Sequence, residues 1–312
     1  MPIRIPRKLP AYEALTRENI FVMTEDRAKH QDIRPLDVAI VNLMPTTTDT
    51  ELQFLRLLGN TPLQINISLL AMGSHEFSHA PPGHLERFYV TAKEAMERRF
   101  DGMIITGAPV ETLPFEQVDY WHELCDVFAY SRENVFSTLH ICWGAQAALY
   151  YHYAVPKIDL PQKLFGVFSH NVNEKTSPLF RGFDDIFLAP QSRHTECERA
   201  ALEENACLTI QSETPCGSPF IITGAQGREI YVTGHLEYDR YTLDKEYKRD
   251  TGKGLSIAPP LNYYPGNDPS QKPRMKWRAH AHLFFSNWLN FVYQTVPFKL
   301  RNLPRLNATE TR

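Results

Sequence analysis

Over its first 150 residues the chain alternates short apolar runs with segments of helical period, which leaves it few ways to fold. Asp37 to Leu43 is a short apolar run and reads as a buried strand. Thr50 to Leu58 follows, with Leu52, Leu55, Leu57 and Leu58 suiting one helix face. Leu63 to Leu70 alternates with a period of two through Leu63, Ile65, Ile67 and Leu69. Thr91 to Arg99 is polar and reads as a helix, and Phe100 to Gly107 as a strand closed by glycine. Phe115 to Tyr130 carries Val118, Trp121, Leu124, Val127 and Phe128 on one helical face. Val135 to Ile141 is a further strand and Cys142 to Tyr153 a helix. This order predicts an α/β fold of three layers, a parallel sheet with helices on both faces. Ligands of such sheets bind at the carboxyl ends of the strands. Three predicted loops lie there: Leu43–Pro45, Gly107–Glu111 and the turn at Cys142.

The second half is richer in strand. Phe220 to Thr223 and Glu229 to Thr233 read as two strands joined by the glycine-bearing turn Gly224–Gly227. Thr242 to Asp250 reads as a charged helix, residues 252–273 as a long ordered loop, and Trp277 to Val292 as an amphipathic helix. No linker divides the chain, so residues 1–300 are expected to form one domain with a short N-terminal extension. Residues 301–312 are expected to fray.

Thirty-three Lys and Arg balance 36 Asp and Glu, which gives no reason to expect nucleic acid or an anionic membrane as partner. No run of about 18 apolar residues exists to span a bilayer. The N-terminus is basic and proline-rich without the apolar core of a secretory signal, so a cytoplasmic location is expected. The five cysteines are odd in number and form no C-x-x-C pair, which argues against a disulfide framework or a structural zinc site. His280 and His282 would lie about 200° apart around a helix and cannot easily share a metal. No metal site is expected.

Most cysteines in such a chain are small buried hydrophobes. Cys142 differs by its surroundings, His140-x-Cys142-x-Gly144-x-Gln146, at a predicted strand-to-helix turn. The pattern parallels the elbow that lifts a nucleophile above a sheet. A helix N-terminus favours thiolate there, and backbone N–H groups such as that of Trp143 can stabilise an oxyanion. The second N–H is expected from Gly107–Ala108. A base and its orienter are available in His235 and Glu237. They lie two residues apart after a predicted strand, so in extended chain both side chains project the same way. Cys142, His235 and Glu237 are therefore the candidate catalytic residues. Gln146 could equally cap or pack.

At these residues the sequence resembles the class I glutamine amidotransferase superfamily, which implies its flavodoxin-like sheet. A closer resemblance, from Met1 to about Leu300, is to the amidotransferase-like homoserine O-acyltransferases of methionine biosynthesis. It is carried by Met1–Pro6, Asn42–Pro45, Thr106–Glu111, His140–Gln146, Pro190–Thr195, Thr233–Asp239 and Trp277–His280. The resemblance implies ping-pong transfer from an acyl-CoA, through a Cys142 thioester, to the hydroxyl of L-homoserine. It implies substrate-binding roles for Lys163, Ser192 and Arg249, and a homodimer. It also links Glu111 and Ser192 to the choice of acyl donor. Glu at position 111 resembles the acetyl-using members and Gly the succinyl-using ones, since a Glu carboxylate repels the distal carboxylate of a succinyl group. Acetyl-CoA as co-substrate, and no bound cofactor, are expected. Many relatives carry Lys-Lys where this chain has Thr46 and Thr47. A succinyl donor, an L-serine acceptor one methylene shorter, and glutamine hydrolysis are the alternatives.

Overall fold

The computed structural model describes residues 3–6, 8–17, 22–23, 34–74, 80–304 and 306. The strands are β1 (Ile3–Arg4), β2 (Val22–Met23), β3 (Leu36–Val41), β4 (Ile65–Ala71), β5 (Tyr89–Thr91), β6 (Phe100–Ile105) and β7 (Val135–Ile141). They continue with β8 (Lys157–Val172), β9 (Ile186–Cys197), β10 (Thr209–Glu213), β11 (Pro219–Gly224) and β12 (Glu229–Val232). The helices are α1 (Pro10–Arg17), α2 (Thr47–Leu58), α3 (His84–Phe88), α4 (Ala92–Ala95), α5 (Trp121–Asn134) and α6 (Trp143–Tyr153). After them come α7 (Arg199–Glu204), α8 (Thr242–Gly252) and α9 (Arg278–Thr295).

One sheet runs in the order β2-β1-β4-β3-β6-β7-β12-β11-β10-β8-β9, with β5 beside β4. From β2 to β12 every pairing is parallel; from β12 to β9 every pairing is antiparallel. The α/β expectation holds, and the strand-rich second half extends the parallel sheet by an antiparallel wing. Alternate side chains feed two cores, one on each face. Val38, Ile40, Ile104 and Val232 pack with α2 and α9, whereas Ala39, Val41, Met103, Ile105 and Tyr231 pack with α5 and α6.

Several boundaries differ from expectation for local reasons. The helix expected over 91–99 is one turn, because Thr91 ends β5 and caps α4 in a box with Glu94. The helix expected over 115–130 is a 3-10 turn, Phe115–Gln117, followed by α5, which runs on to Asn134. The long hairpin β8–β9 has no counterpart in the expected elements. Its pairing shifts register between Asp159 and Leu164, which breaks the alternation. Fraying was expected from residue 301, but Leu303 is buried and Pro304 O accepts from Arg228 Nη1. Residues 305 and 307–312 of that tail, and Met1 and Pro2 at the other end, lie outside the described residues. Among the described residues no helix is long and apolar enough to cross a membrane.

Candidate active site

Parallel pairing of β7 with β12 brings the site together. Ile141 stands opposite Val232, and Cys142 N–H donates to Val232 O at 2.7 Å. The two strands end level, so the residues that follow them meet above the sheet. Cys142 has φ 50° and ψ −116°, a conformation strained for any residue with a Cβ. Its carbonyl accepts from Ala145 and Gln146 as α6 begins. The N–H groups of Trp143 and Gly144 thus stand in the first turn, where a helix offers no internal acceptor. Two close approaches require glycine. A Cβ on Gly144 would lie 2.5 Å from Thr106 O, and one on Gly234 would lie 2.6 Å from Gln191 Oε1 and 2.7 Å from Pro190 O. The first lets α6 press on the end of β6. The second lets the His235 loop press on β9, where His235 N–H donates to Pro190 O.

His235 is buried against Cys142. Its Nδ1 lies 2.6 Å from Glu237 Oε1, and its ring stacks on Tyr238 with centroids 3.9 Å apart. Burial alone would push the imidazole pKa down. The Cys142 sulfur and the Glu237 carboxylate reverse the sign, and it stands well above the ordinary value. The arrangement can hold an imidazolium beside a sulfur nucleophile. Gly107 closes the third side: a Cβ there would lie 3.2 Å from Cys142 Cβ.

A cavity of about 300 Å³ opens over Cys142 and His235. Glu111, Lys163, Ser192 and Arg249 line it too, so every substrate or donor position named above reaches this one space. Glu237 stands behind His235 and does not line it. Lys163 Nζ and Ser192 Oγ each donate to Glu246 Oε1 at 2.6 Å. Arg249 Nε donates to Asp250 Oδ1 at 2.7 Å, which leaves its side chain 54% exposed at the rim. Its partners draw the Asp250 carboxyl below its ordinary value in spite of burial. Glu111 Oε1 accepts from His194 N–H. Burial pushes its carboxyl up, His194 and Lys163 oppose this, and Glu246 adds to it.

Glu246, Asp250 and Tyr238 were not singled out from sequence. Glu246 and Asp250 flank Arg249 at helical spacings of three and one on a helix that reads as solvated charge, and the face they share with Arg249 was the available signal. Gln146 clips α6 to β9, donating to Thr195 O and accepting from Thr195 Oγ1. Thr46 is exposed and Thr47 buried at the start of α2, and neither lines the cavity, to which this loop contributes Met44. His280 pairs with Asp184 at 3.4 Å.

The family model described as homoserine O-succinyltransferase (HTS) matches residues 2–298. A protein named homoserine O-acetyltransferase from Desulfovibrio desulfuricans is 56% identical over 96% of this chain and 96% of its own length. One of the same name from Petrotoga mobilis is 55% identical over 97% of this chain and 98% of its own. Among solved structures, a glutamine amidotransferase from Thermotoga maritima superposes with a TM-score of 0.57 at 12% identity, over 83% of this chain and 99% of that one. This last likeness bears on the fold alone, a mostly parallel sheet flanked by helices. By the extent of the family match, the chain belongs to the homoserine O-succinyltransferase family of acyltransferases.

Proposed function

We propose that the protein is a homoserine O-acetyltransferase that carries the acetyl group on Cys142. One observation carries this reading: the Cys142 turn, backed by His235 and Glu237, opens into the same cavity as Glu111, Lys163, Ser192 and Arg249. In the first half-reaction the Cys142 thiolate attacks the thioester carbonyl of acetyl-CoA, and the CoA sulfur leaves with the proton of the His235 imidazolium. In the second, His235 takes the proton of the homoserine γ-hydroxyl as its oxygen attacks the acetyl carbonyl, and the Cys142 thiolate departs. Glu237 holds the imidazole in one orientation and stabilises its cation. Arg249 at the rim suits the acceptor's carboxylate, which a guanidinium grips with two parallel bonds. Lys163 and Ser192 suit its other polar groups or those of the acyl-enzyme. Acetyl-CoA is a co-substrate, and no step calls for a bound cofactor.

The family description names a succinyl group and the relatives' names an acetyl group. Glu111 favours acetyl. With Glu246 nearby it adds negative charge to that wall of the cavity, which disfavours a donor with a distal carboxylate. A homodimer and a cytoplasmic location belong to the same reading. The test is a matrix of acetyl-CoA and succinyl-CoA against L-homoserine and L-serine, with Cys142→Ala as the blank. Turnover greatest for acetyl-CoA with L-homoserine is expected; preference for succinyl-CoA or for L-serine contradicts the assignment.

A further inference from the structure

We propose that the Thr106 hydroxyl is a positioning group that aims the Ala108 N–H at the oxyanion formed on the Cys142 thioester carbonyl. The inference rests on the acyl-transfer reading above. Thr106 follows β6, which lies between β3 and β7 in the sheet. Its hydroxyl is buried between two loops, accepting from Leu43 N–H at 2.8 Å and lying 3.0 Å from Gly107 O. An N–H can only donate, so the hydroxyl accepts there and its single proton is free for the Gly107 carbonyl. That carbonyl is thereby turned toward the β3 side. In a trans peptide the C=O and the next N–H point in opposite directions. The Ala108 N–H is therefore turned toward the β7 side, where Cys142 stands, and Ala108 lines the cavity.

The rest of Thr106 is fixed independently. Its N–H donates to Val41 O at 3.1 Å, and its carbonyl packs under Gly144 at the start of α6. What remains free to turn is the Gly107–Ala108 peptide, because Gly107 has no side chain to resist rotation. The hydroxyl is the group that stops it. Trp143 N–H comes from the helix turn and needs no such support, so Thr106 governs one of two donors. Its removal weakens oxyanion stabilisation without touching the thiolate or the base.

The experiment compares Thr106→Val, Thr106→Ala and Thr106→Ser with the unsubstituted protein in two reactions of Cys142. Acylation by acetyl-CoA passes through an oxyanion; alkylation by iodoacetamide does not. The valine and alanine variants are expected to acylate about 10- to 100-fold more slowly. Their alkylation rates should stay unchanged, and serine should restore acylation. Using two substitutions of different size keeps the test open if one of them fails to fold, which alkylation and circular dichroism report. Unchanged acylation in a folded valine or alanine variant overturns the proposal. Equal losses in both reactions overturn it too, in favour of a merely structural role. Failure of the unsubstituted protein to acylate at all strikes the proposed function instead, and is seen separately.

Discussion

His235 Nδ1 lies 2.6 Å from Glu237 Oε1, and both side chains are buried. They come from one short segment, so the pair forms as soon as the chain beyond β12 is placed. Glu237 is one of two anions that hold the imidazole pKa above its ordinary value. Glu237→Gln removes that anion but keeps the shape. The His235 pKa then falls toward the ordinary range, and kcat is expected to drop about 100-fold or more. Steady-state kinetics across pH checks this, and an unchanged kcat contradicts the orienting role.

Glu246 receives both Lys163 and Ser192 on one oxygen. Glu246→Ala releases the two donors and leaves Lys163 with Asp250, 3.5 Å away. Loss of charge-assisted bonds of about 1.5–3 kcal/mol is expected to raise the KM for L-homoserine about 10- to 100-fold. Acetylation of Cys142, which comes before acceptor binding in the proposed ping-pong order, should change less. An acceptor KM within experimental error of the unsubstituted value contradicts this role.

Glu111→Gly removes both the bulk and the charge of the wall beside Lys163 and Glu246. The ratio of kcat/KM for succinyl-CoA to that for acetyl-CoA is expected to rise at least about tenfold, the worth of one close charge repulsion in a partly buried site. A constant ratio in competition assays contradicts the account of donor choice.

Much of this site was legible beforehand, for definable reasons. Cys142 stood out because an apolar strand stops abruptly at Cys-x-Gly, and the glycine is demanded by the 2.5 Å approach to Thr106 O. His235 and Glu237 stood out because a period of two survives past the end of β12. The wing β8–β9 was hidden because polar residues interrupt its buried positions: Phe165, Val167, Phe187 and Ala189 share them with His170, Gln191, Ser192 and Thr195. Arg193 is fully buried there, bonded to Gln191, Thr195 and Ser218, and no hydrophobic pattern marks such a strand. Lys163 and Ser192 sit on this wing, so only the family resemblance could point to them. Glu246 was hidden because the two groups that donate to it, Lys163 and Ser192, are far away in sequence, and its spacing of three from Arg249 alone reads as solvated charge.

Acid should destabilise the fold through buried histidines. Burial pushes His140 and His170 down to about 3, so both stay neutral in the fold while the unfolded chain protonates near 6.5. The unfolded state binds more protons between these values. The stability contributed is whole above pH 6.5 and is lost as pH falls toward 3, at up to about 2 kcal/mol per histidine by pH 5. Among the described residues neither ring nitrogen of His140 has a partner, and the ring stacks on Tyr231 with centroids 4.9 Å apart, a place that phenylalanine can take. His140→Phe should therefore lose less Tm than the unsubstituted protein between pH 7 and pH 5. An equal loss in scanning calorimetry contradicts the assignment.

The acyl group on Cys142 is the centre of the account, and intact-protein mass spectrometry with acetyl-CoA alone tests it most directly. A mass gain of one acetyl group located on Cys142 is expected, absent in Cys142→Ala and discharged by L-homoserine. Turnover without any acetylated Cys142, or acetylation that L-homoserine does not discharge, would contradict it.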